Sequence, residues 1–274
     1  MNVRGILKNS KTNFALALMG LPRDQRRAME AVYAYCRIVD DIVDESPSVE
    51  KAKVDLNHWK SALAHWPNFG AVLPTDVARE LEWAVEHFPI QKNDILWILE
   101  GVEKDLYPTH YRTLEELLVY CDAVASAVGL CCMAIFGVER KDAENYSYAT
   151  GRALQLTNIL RDVESDATRG RVYIPDHFLT ASNLTSEDLL HPSYNENFFY
   201  MGRAFAEKIG EYYRQSDMEA KKLPLSKIWP AEVMKKTYFE IYKKICHRSY
   251  DVISEKVRIG KLKKIWIAIS QPRA

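Results

Sequence analysis

No charge of either sign is in excess. The chain carries 37 lysines and arginines against 37 aspartates and glutamates, so no global field draws it to a nucleic acid. Cysteine is scarce and odd in number. Cys36, Cys121, Cys131, Cys132 and Cys246 show no CxxC spacing, which argues against a disulfide scaffold and for a reducing compartment. The seven histidines form no HExxH or HxxxH pair, so a zinc site has no motif. There is no GxxxxGK[ST] loop, no GxGxxG after a strand and no GxSxG elbow. Nucleotide binding, NADPH included, and serine hydrolysis therefore lack a signature. Nowhere do 18 uncharged apolar residues run together, and the opening MNVRGILKNSKTNF has no long apolar core. The expectation is a cytoplasmic protein without a membrane span.

Helical periodicity is what the chain does have, with no strand-like alternation. Pro22 and Asp24 open a stretch in which Ala28, Val32, Tyr35 and Val39 keep three-to-four spacing. After a loop marked by Pro67, Gly70 and Pro74, TDVARELEWAVEHF and NDILWILEGVEKDL read as two helices. Thr113 and Glu116 form a capping box before LLVYCDAVASAVGLCCMAIFG, which is apolar all round from Ala123 to Phe136. Its small residues, Ala123, Ala125, Ser126, Ala127 and Gly129, serve either close helix packing or space for an apolar ligand. A further helix runs from about Asp142 to near Gly170, followed by extended GRVYIP. The segment Leu179 to Asn197 reads as a polar loop with one short turn, and two more helices follow, FFYMGRAFAEKIGEYYRQSDMEA and AEVMKKTYFEIYKKICHRSYDVISEKV. The expectation is all-α, with one domain over residues 1–274.

Two acidic runs stand out: DDIVDE, Asp40 to Glu45, and NILRDVESD, Asn158 to Asp166. Asp40 and Asp44 are four apart, as are Asn158, Asp162 and Asp166, so each set stacks along one helix face. Like charges at that spacing repel, and the first run also sits at a helix C-terminus, where the dipole disfavours anions. A bound cation would offset both costs. Hard oxygen ligands suit Mg²⁺, which commonly shares its shell with substrate phosphate. Arg37 and Arg161 adjoin the two runs, and a guanidinium matches phosphate oxygens bidentately. Gln155 lies one turn before Asn158 and adds an amide. Spacing alone also allows solvated helix ends with arginines as plain ion-pair partners.

YAYCRIVDDIVDE, YCDAVASAVG, LQLTNILRDVESDATRGRVYIP and AEVMKKTYFEIYKKI together resemble the squalene and phytoene synthases, which join two prenyl diphosphates head to head. The NxxRDxxxD run followed by GRxYxP separates that family from chain-elongating prenyltransferases, which carry a second DDxxD. The resemblance implies the isoprenoid synthase bundle, a deep apolar cavity with two acidic motifs facing each other at its mouth. It implies metal ligation by Asp40, Asp44, Asn158, Asp162 and Asp166, with two or three Mg²⁺ ions and Mn²⁺ as a substitute. Arg37, Gln155, Arg161, Arg171, Tyr173 and Tyr238 match positions that contact diphosphate or shape the site, Tyr173 among the catalytic ones. Tyr33, Tyr120, Val124 and Gly129 match cavity-lining positions, and Phe14 an aromatic of an N-terminal flap.

Three departures stand beside these matches. The flap reads SKTNF, with Ser10, Thr12 and Asn13 where a serine-rich pattern is usual; Ser126 replaces a frequent glycine; and Lys256 takes the place of a substrate-binding arginine. VASAVGL, GVEKDL and the ending EKVRIGKLKKIWIAI look most like bacterial presqualene diphosphate synthases of hopanoid pathways. The implied substrate is then farnesyl diphosphate, with phytoene, dehydrosqualene or squalene synthesis as alternatives and a non-catalytic assembly protein of the same fold as a remote one. The tail mixes Lys261, Lys263 and Lys264 with Ile265, Trp266 and Ile267, a pattern that fits either helix packing or an anionic membrane surface. The oligomeric state is left open.

Overall fold

The computed structural model describes residues 20–108 and 110–260, together with Val3, Gly5, Ile6, Leu18, Lys263, Trp266 and Ile267. Among the described residues it is helical without a strand. Phe14, Ser10, Thr12 and Asn13 lie outside the described residues.

Helix α1 (Arg23–Glu45) buries Ala28, Met29, Val32, Tyr35 and Val39, the stripe its spacing predicts. Each fully buried large side chain contributes roughly 1.5–3 kcal/mol. The Tyr35 hydroxyl, sealed from water, donates to the Ile95 carbonyl at 2.9 Å and so satisfies its polar end. Next comes α2 (Val49–Ala64), a helix absent from the sequence reading. Ser48 caps it by accepting from Lys51 N, and its buried stripe is thinned by small residues, Ala52 and Ala62 beside Leu56, Trp59 and Leu63. Helices α3 (Asp76–His87) and α4 (Lys92–Glu103) fall where expected, and α4 runs on into a 3₁₀ turn, Lys104–Leu106.

The apolar stretch after Thr113 is α5 (Leu114–Cys121), a π turn (Asp122–Ser126) and α6 (Ala127–Ile135). The predicted capping box closes differently. Thr113 accepts from Glu116 N, whereas the Glu116 carboxylate accepts from Arg112 N at 2.8 Å. Leu114–Ile135 is long and apolar enough to cross a bilayer, yet 61% of its most apolar window is buried inside the fold.

Helix α7 (Arg140–Arg161) is central, with buried residues on nearly every side from Ala143 to Leu160. It is pinned to α11 (Glu196–Ala220) by Thr150–Ser216 at 2.6 Å and Thr157–Tyr213 at 3.1 Å. The single helix expected through the second acidic run is broken at Asp162, where φ −105° and ψ 13° separate α7 from α8 (Val163–Ala167). The backbone bonds Asp162 N to Asn158 O and Asp166 N to Asp162 O persist across the break, at 2.8 and 2.9 Å. The four-residue stacking of the motif therefore survives.

The segment expected to be mostly loop holds the end of one short helix, α9 (Asp176–Ala181), and the whole of another, α10 (Ser186–Leu190). The latter is closed by a true capping box between Thr185 and Asp188. The last long helix, α12 (Leu225–His247), begins earlier than expected, admits Pro230 and stops at His247 rather than near Val257. Ser249 and Tyr250, both at positive φ, turn the chain out of it.

The apolar interior falls into two clusters. One gathers α1 to α4, α6 and the start of α12; the other gathers α5, the later part of α7, and α9 to α12. The candidate site lies at their seam, where Val124 packs against both.

Candidate active site

A cavity of about 340 Å³ runs between four helical stripes. From α1 come Met29, Val32, Tyr33, Cys36 and Asp40, and from α7 come Ser147, Gly151, Leu154, Gln155 and Asn158. The π turn and α6 supply Val124, Ala125, Val128, Gly129 and Cys132, and α12 supplies Ala231, Met234 and Tyr238. The spacing along α1 and α7 is helical, so one apolar stripe of each helix faces the cavity and its last member is polar. Tyr33, Val124 and Gly129 are thus among the lining residues.

A second, polar pocket of about 400 Å³ opens at that end, and both acidic motifs line it: Asp40 and Asp44 from α1, Asn158, Asp162 and Asp166 from α7 and α8. Arg37, Arg161, Arg169, Arg171, Asp105, Tyr120 and Tyr173 line it too. Asp40, Gln155, Asn158 and Tyr238 belong to both pockets, so the apolar cavity opens directly onto the polar mouth.

Charges in the mouth are unevenly paired. Arg171 Nη1 lies 2.8 Å from Asp44 Oδ1, tying the two motifs together across the mouth. Arg161 forks onto its neighbour Asp162, with Nε at 3.0 Å, and Lys256 Nζ lies 3.7 Å from the same carboxylate. Arg37 faces Asp41 (Nε 3.1 Å) and Glu45 on its own helix rather than Asp40. Neither Asp40 nor Asp166 has an ion-pair partner among the described residues. Loss of bulk water, and then Asp44, raise the Asp40 carboxyl from 3.8 to about 7. Asp40 keeps accessible surface while lining both the cavity and the mouth, whose walls limit its contact with bulk water. Desolvation and then Asp162 raise Asp166 to about 7 as well, against Arg171 and Arg169.

The arrangement fits a divalent cation. The buried Oδ1 of Asn158 has no hydrogen-bond partner, and the Asn158 amide nitrogen is spent on Gln155 Oε1 at 3.4 Å. An orphaned oxygen beside two unneutralised carboxylates is a hard donor set in want of positive charge. Among the described residues no three such side chains already converge as a finished metal cage. Mg²⁺ typically takes only one or two carboxylates and completes its shell with water and phosphate.

The sequence reading misses one residue at the centre of the mouth. Asp105, in the 3₁₀ turn after α4, accepts from Tyr173 at 2.7 Å and from Tyr120 at 2.8 Å, while Arg171 Nη2 donates to its backbone carbonyl at 3.1 Å. Burial raises its carboxyl, and the two phenols and Arg171 hold it back. Burial likewise pushes both phenols up, so Tyr120 and Tyr173 remain protonated donors. A lone aspartate ending an amphipathic helix has no periodic signal, and GVEKDL is the single pointer to it.

One expected placement changes accordingly. Tyr120 lies in the polar mouth, stacked on Tyr173 at 5.2 Å between ring centroids, and is not among the residues lining the apolar cavity. Arg171, expected to contact diphosphate or shape the site, lines the mouth and is held there by Asp44 and the Asp105 carbonyl. Its position depends on Gly170, whose φ of +69° turns the chain so that Arg171 N reaches Asp166 O at 3.0 Å. No atom would crowd a side chain there, so conformation alone calls for glycine.

The sequence profile of the family Squalene/phytoene synthase matches residues 7–263. The chain belongs to that family. It is 32% identical over 260 residues to a presqualene diphosphate synthase of Rhodopseudomonas palustris, covering 94% of this chain and 92% of the relative. A phytoene synthase of Arthrospira platensis is 30% identical over 285 residues, covering 99% and 92%. A solved dehydrosqualene synthase in complex with ligand superposes with a TM-score of 0.86 at 25% identity, over 97% of this chain and 92% of its own. The fold is that of the isoprenoid synthases, and the protein is a prenyltransferase-type enzyme of a family that uses a divalent metal.

Proposed function

We propose that this enzyme joins two farnesyl diphosphates head to head to give presqualene diphosphate and pyrophosphate. The observation that carries the reading is the opening of the apolar cavity onto the carboxylate-lined mouth through Asp40, Gln155, Asn158 and Tyr238. That geometry suits an amphiphile with a long hydrocarbon tail and an anionic head. A 32% identical presqualene diphosphate synthase favours the C15 substrate, and a 30% identical phytoene synthase keeps the C20 substrate as a second reading.

Asp40, Asp44, Asn158, Asp162 and Asp166 would hold two or three Mg²⁺ ions, with Mn²⁺ as a substitute. When bound, the metal supplies Lewis-acid neutralisation of diphosphate oxygens and makes the diphosphate a better leaving group. The chain's own residues do the rest. Arg161, Arg37 and Lys256 stand beside the mouth as cations for the diphosphate. Arg171 keeps the two motifs at a fixed separation through Asp44. Tyr33, Val124, Gly129 and their neighbours shut water away from the prenyl chains.

One C1–O bond breaks and its electron pair leaves with the diphosphate. The C2=C3 double bond of the second substrate attacks the allylic C1, and loss of a proton closes a cyclopropane. The released pyrophosphate takes that proton. Tyr173, protonated and engaged with Asp105, shapes the wall beside the leaving group.

The reading extends to a cytoplasmic enzyme touching the inner membrane face, since Trp266 is 64% exposed near Lys263 and the product is a lipid. Co-sedimentation with anionic liposomes, weakened by Trp266→Ala, tests that extension. The reaction is tested by supplying purified protein and Mg²⁺ with the C15 and C20 diphosphates separately. Cyclopropyl C30 diphosphate from the first supports the reading; phytoene from the second, with nothing from the first, overturns it.

A further inference from the structure

The cavity wall between α5 and α6 is not a regular helix. The π turn Asp122–Ser126 adds a residue to the helical circuit, and two of its members, Val124 and Ala125, line the cavity. Asp122, only 6% exposed, accepts from Arg152 Nε at 2.8 Å and Nη2 at 2.6 Å, and from Ser126 Oγ at 2.9 Å. One carboxylate thereby ties the first and last residues of the turn to each other and to α7. The Arg152 guanidinium is also flanked by Tyr148 and Tyr212, with ring centroids at 5.4 and 5.7 Å.

Two glycines let neighbouring helices approach the turn closely. A Cβ at Gly151 would lie 2.6 Å from the backbone nitrogen and Cα of Ser126. One at Gly101, on α4, would lie 2.6 Å from Ala123 Cβ and 2.9 Å from Val124 Cγ1. Displaced from α4, Val124 has the cavity as its free side. Asp122, Arg152 and Gly101 line neither the cavity nor the mouth. A half-buried ion pair of this kind is weak evidence for stability, and its best-attested use is to fix a register.

We propose that the Asp122–Arg152–Ser126 clasp, with Gly101 behind it, sets the bore of the cavity and so determines which prenyl chain length is accepted. These are positioning residues, acting through Val124 and Ala125. The inference rests on the head-to-head prenyl transfer proposed above. Gly101→Ala pushes Val124 inward and selects against the longer chain. Asp122→Asn and Arg152→Met release the turn and relax the selection, while Arg152→Lys keeps the charge but loses the fork and falls between.

The test is kcat/KM for C15 and C20 prenyl diphosphates, each with Mg²⁺, for wild type and the four variants, with thermal melting as the check on folding. The expected result is a C20-to-C15 ratio that falls about tenfold in Gly101→Ala and rises by a similar factor in Arg152→Met, the scale at which an apolar pocket reads chain length. Arg152→Lys, the mildest change, keeps the question answerable if Gly101→Ala does not fold. A purely structural clasp would lower both kcat/KM values together. Unchanged ratios in folded, active variants overturn the inference alone, and a wild type inert towards both diphosphates overturns the reading beneath it.

Discussion

The apolar cavity and the polar mouth share four residues yet are built by opposite means. The cavity is walled mainly by stripes of the helices α1, α6, α7 and α12, joined by Val124 and Ala125 of the π turn, and these side chains belong to or pack against the apolar core. The mouth is assembled where regular structure stops: the end of α1, the break at Asp162, the 3₁₀ turn at Asp105 and the left-handed Gly170. Packing determines the first, and charge balance the second. Among the described residues the mouth carries two carboxylates without ion-pair partners and an orphaned amide oxygen, whereas the unpartnered polar atom on the wall is the neutral Ser147 hydroxyl. Damage to the mouth should therefore abolish chemistry with little loss of fold, and damage to the wall should change which substrate fits.

The largest expected effect is in the mouth. Asp40→Asn and Asp162→Asn should each lower turnover on the order of 10²-fold or more, with melting temperature held or raised in Asp40→Asn as repulsion is relieved and lowered in Asp162→Asn, which leaves Arg161 without its partner. Near-normal turnover in either variant would break the division between the two regions. A wall substitution comes next. Val128→Phe, placed in the cavity lining, should raise KM and reduce kcat/KM for a prenyl diphosphate about tenfold, at an overpacking cost of roughly 1–3 kcal/mol in urea denaturation.

The charge imbalance also predicts a pH dependence. The Asp40 and Asp166 carboxyls are raised from 3.8 to about 7, so between those values the native state binds protons that the unfolded chain has lost. Their contribution to stability is complete below 3.8 and disappears as pH rises through 7. Urea midpoints of metal-free protein should fall across that window. The slope should be shallower in Asp40→Asn and flattened by millimolar Mg²⁺; an unaltered slope in both would refute the electrostatic account of the mouth. The smallest effect expected is from Tyr173→Phe. Asp105 keeps its bond from Tyr120, so kcat should fall only a few-fold, and removing one of the two hydrogen bonds to the carboxylate should cost no more than about 1.5 kcal/mol in stability.

The same contrast decides what could be read from the sequence. Of the wall, Tyr33, Val124 and Gly129 were legible through the family resemblance, while Cys36, Gly151 and Leu154 were not singled out; helical spacing itself gave the core stripe Ala28, Val32, Tyr35 and Val39 of α1. The five metal-ligand candidates were legible through the same spacing, and the structure brings all five to one mouth. Asp105 was not, because its partners Tyr120 and Tyr173 are 15 and 68 residues away and meet it only through packing. The same holds for the Arg171–Asp44 link between motifs and for Tyr120, whose apolar neighbours in sequence conceal a polar contact. The π turn was hidden by composition: an all-apolar stretch has no periodic stripe to shift when one residue is added.

The central claim is that the wall and the mouth act as one device, holding a hydrocarbon tail while the diphosphate leaves. Its most direct test is pyrophosphate release from farnesyl diphosphate with and without Mg²⁺, with organic products identified by mass spectrometry in the same reaction. The account predicts metal-dependent release matched one for one by a cyclopropyl C30 diphosphate, and neither in Asp162→Asn. Release without a C30 product, or a C30 product formed equally well by Asp162→Asn, would contradict it.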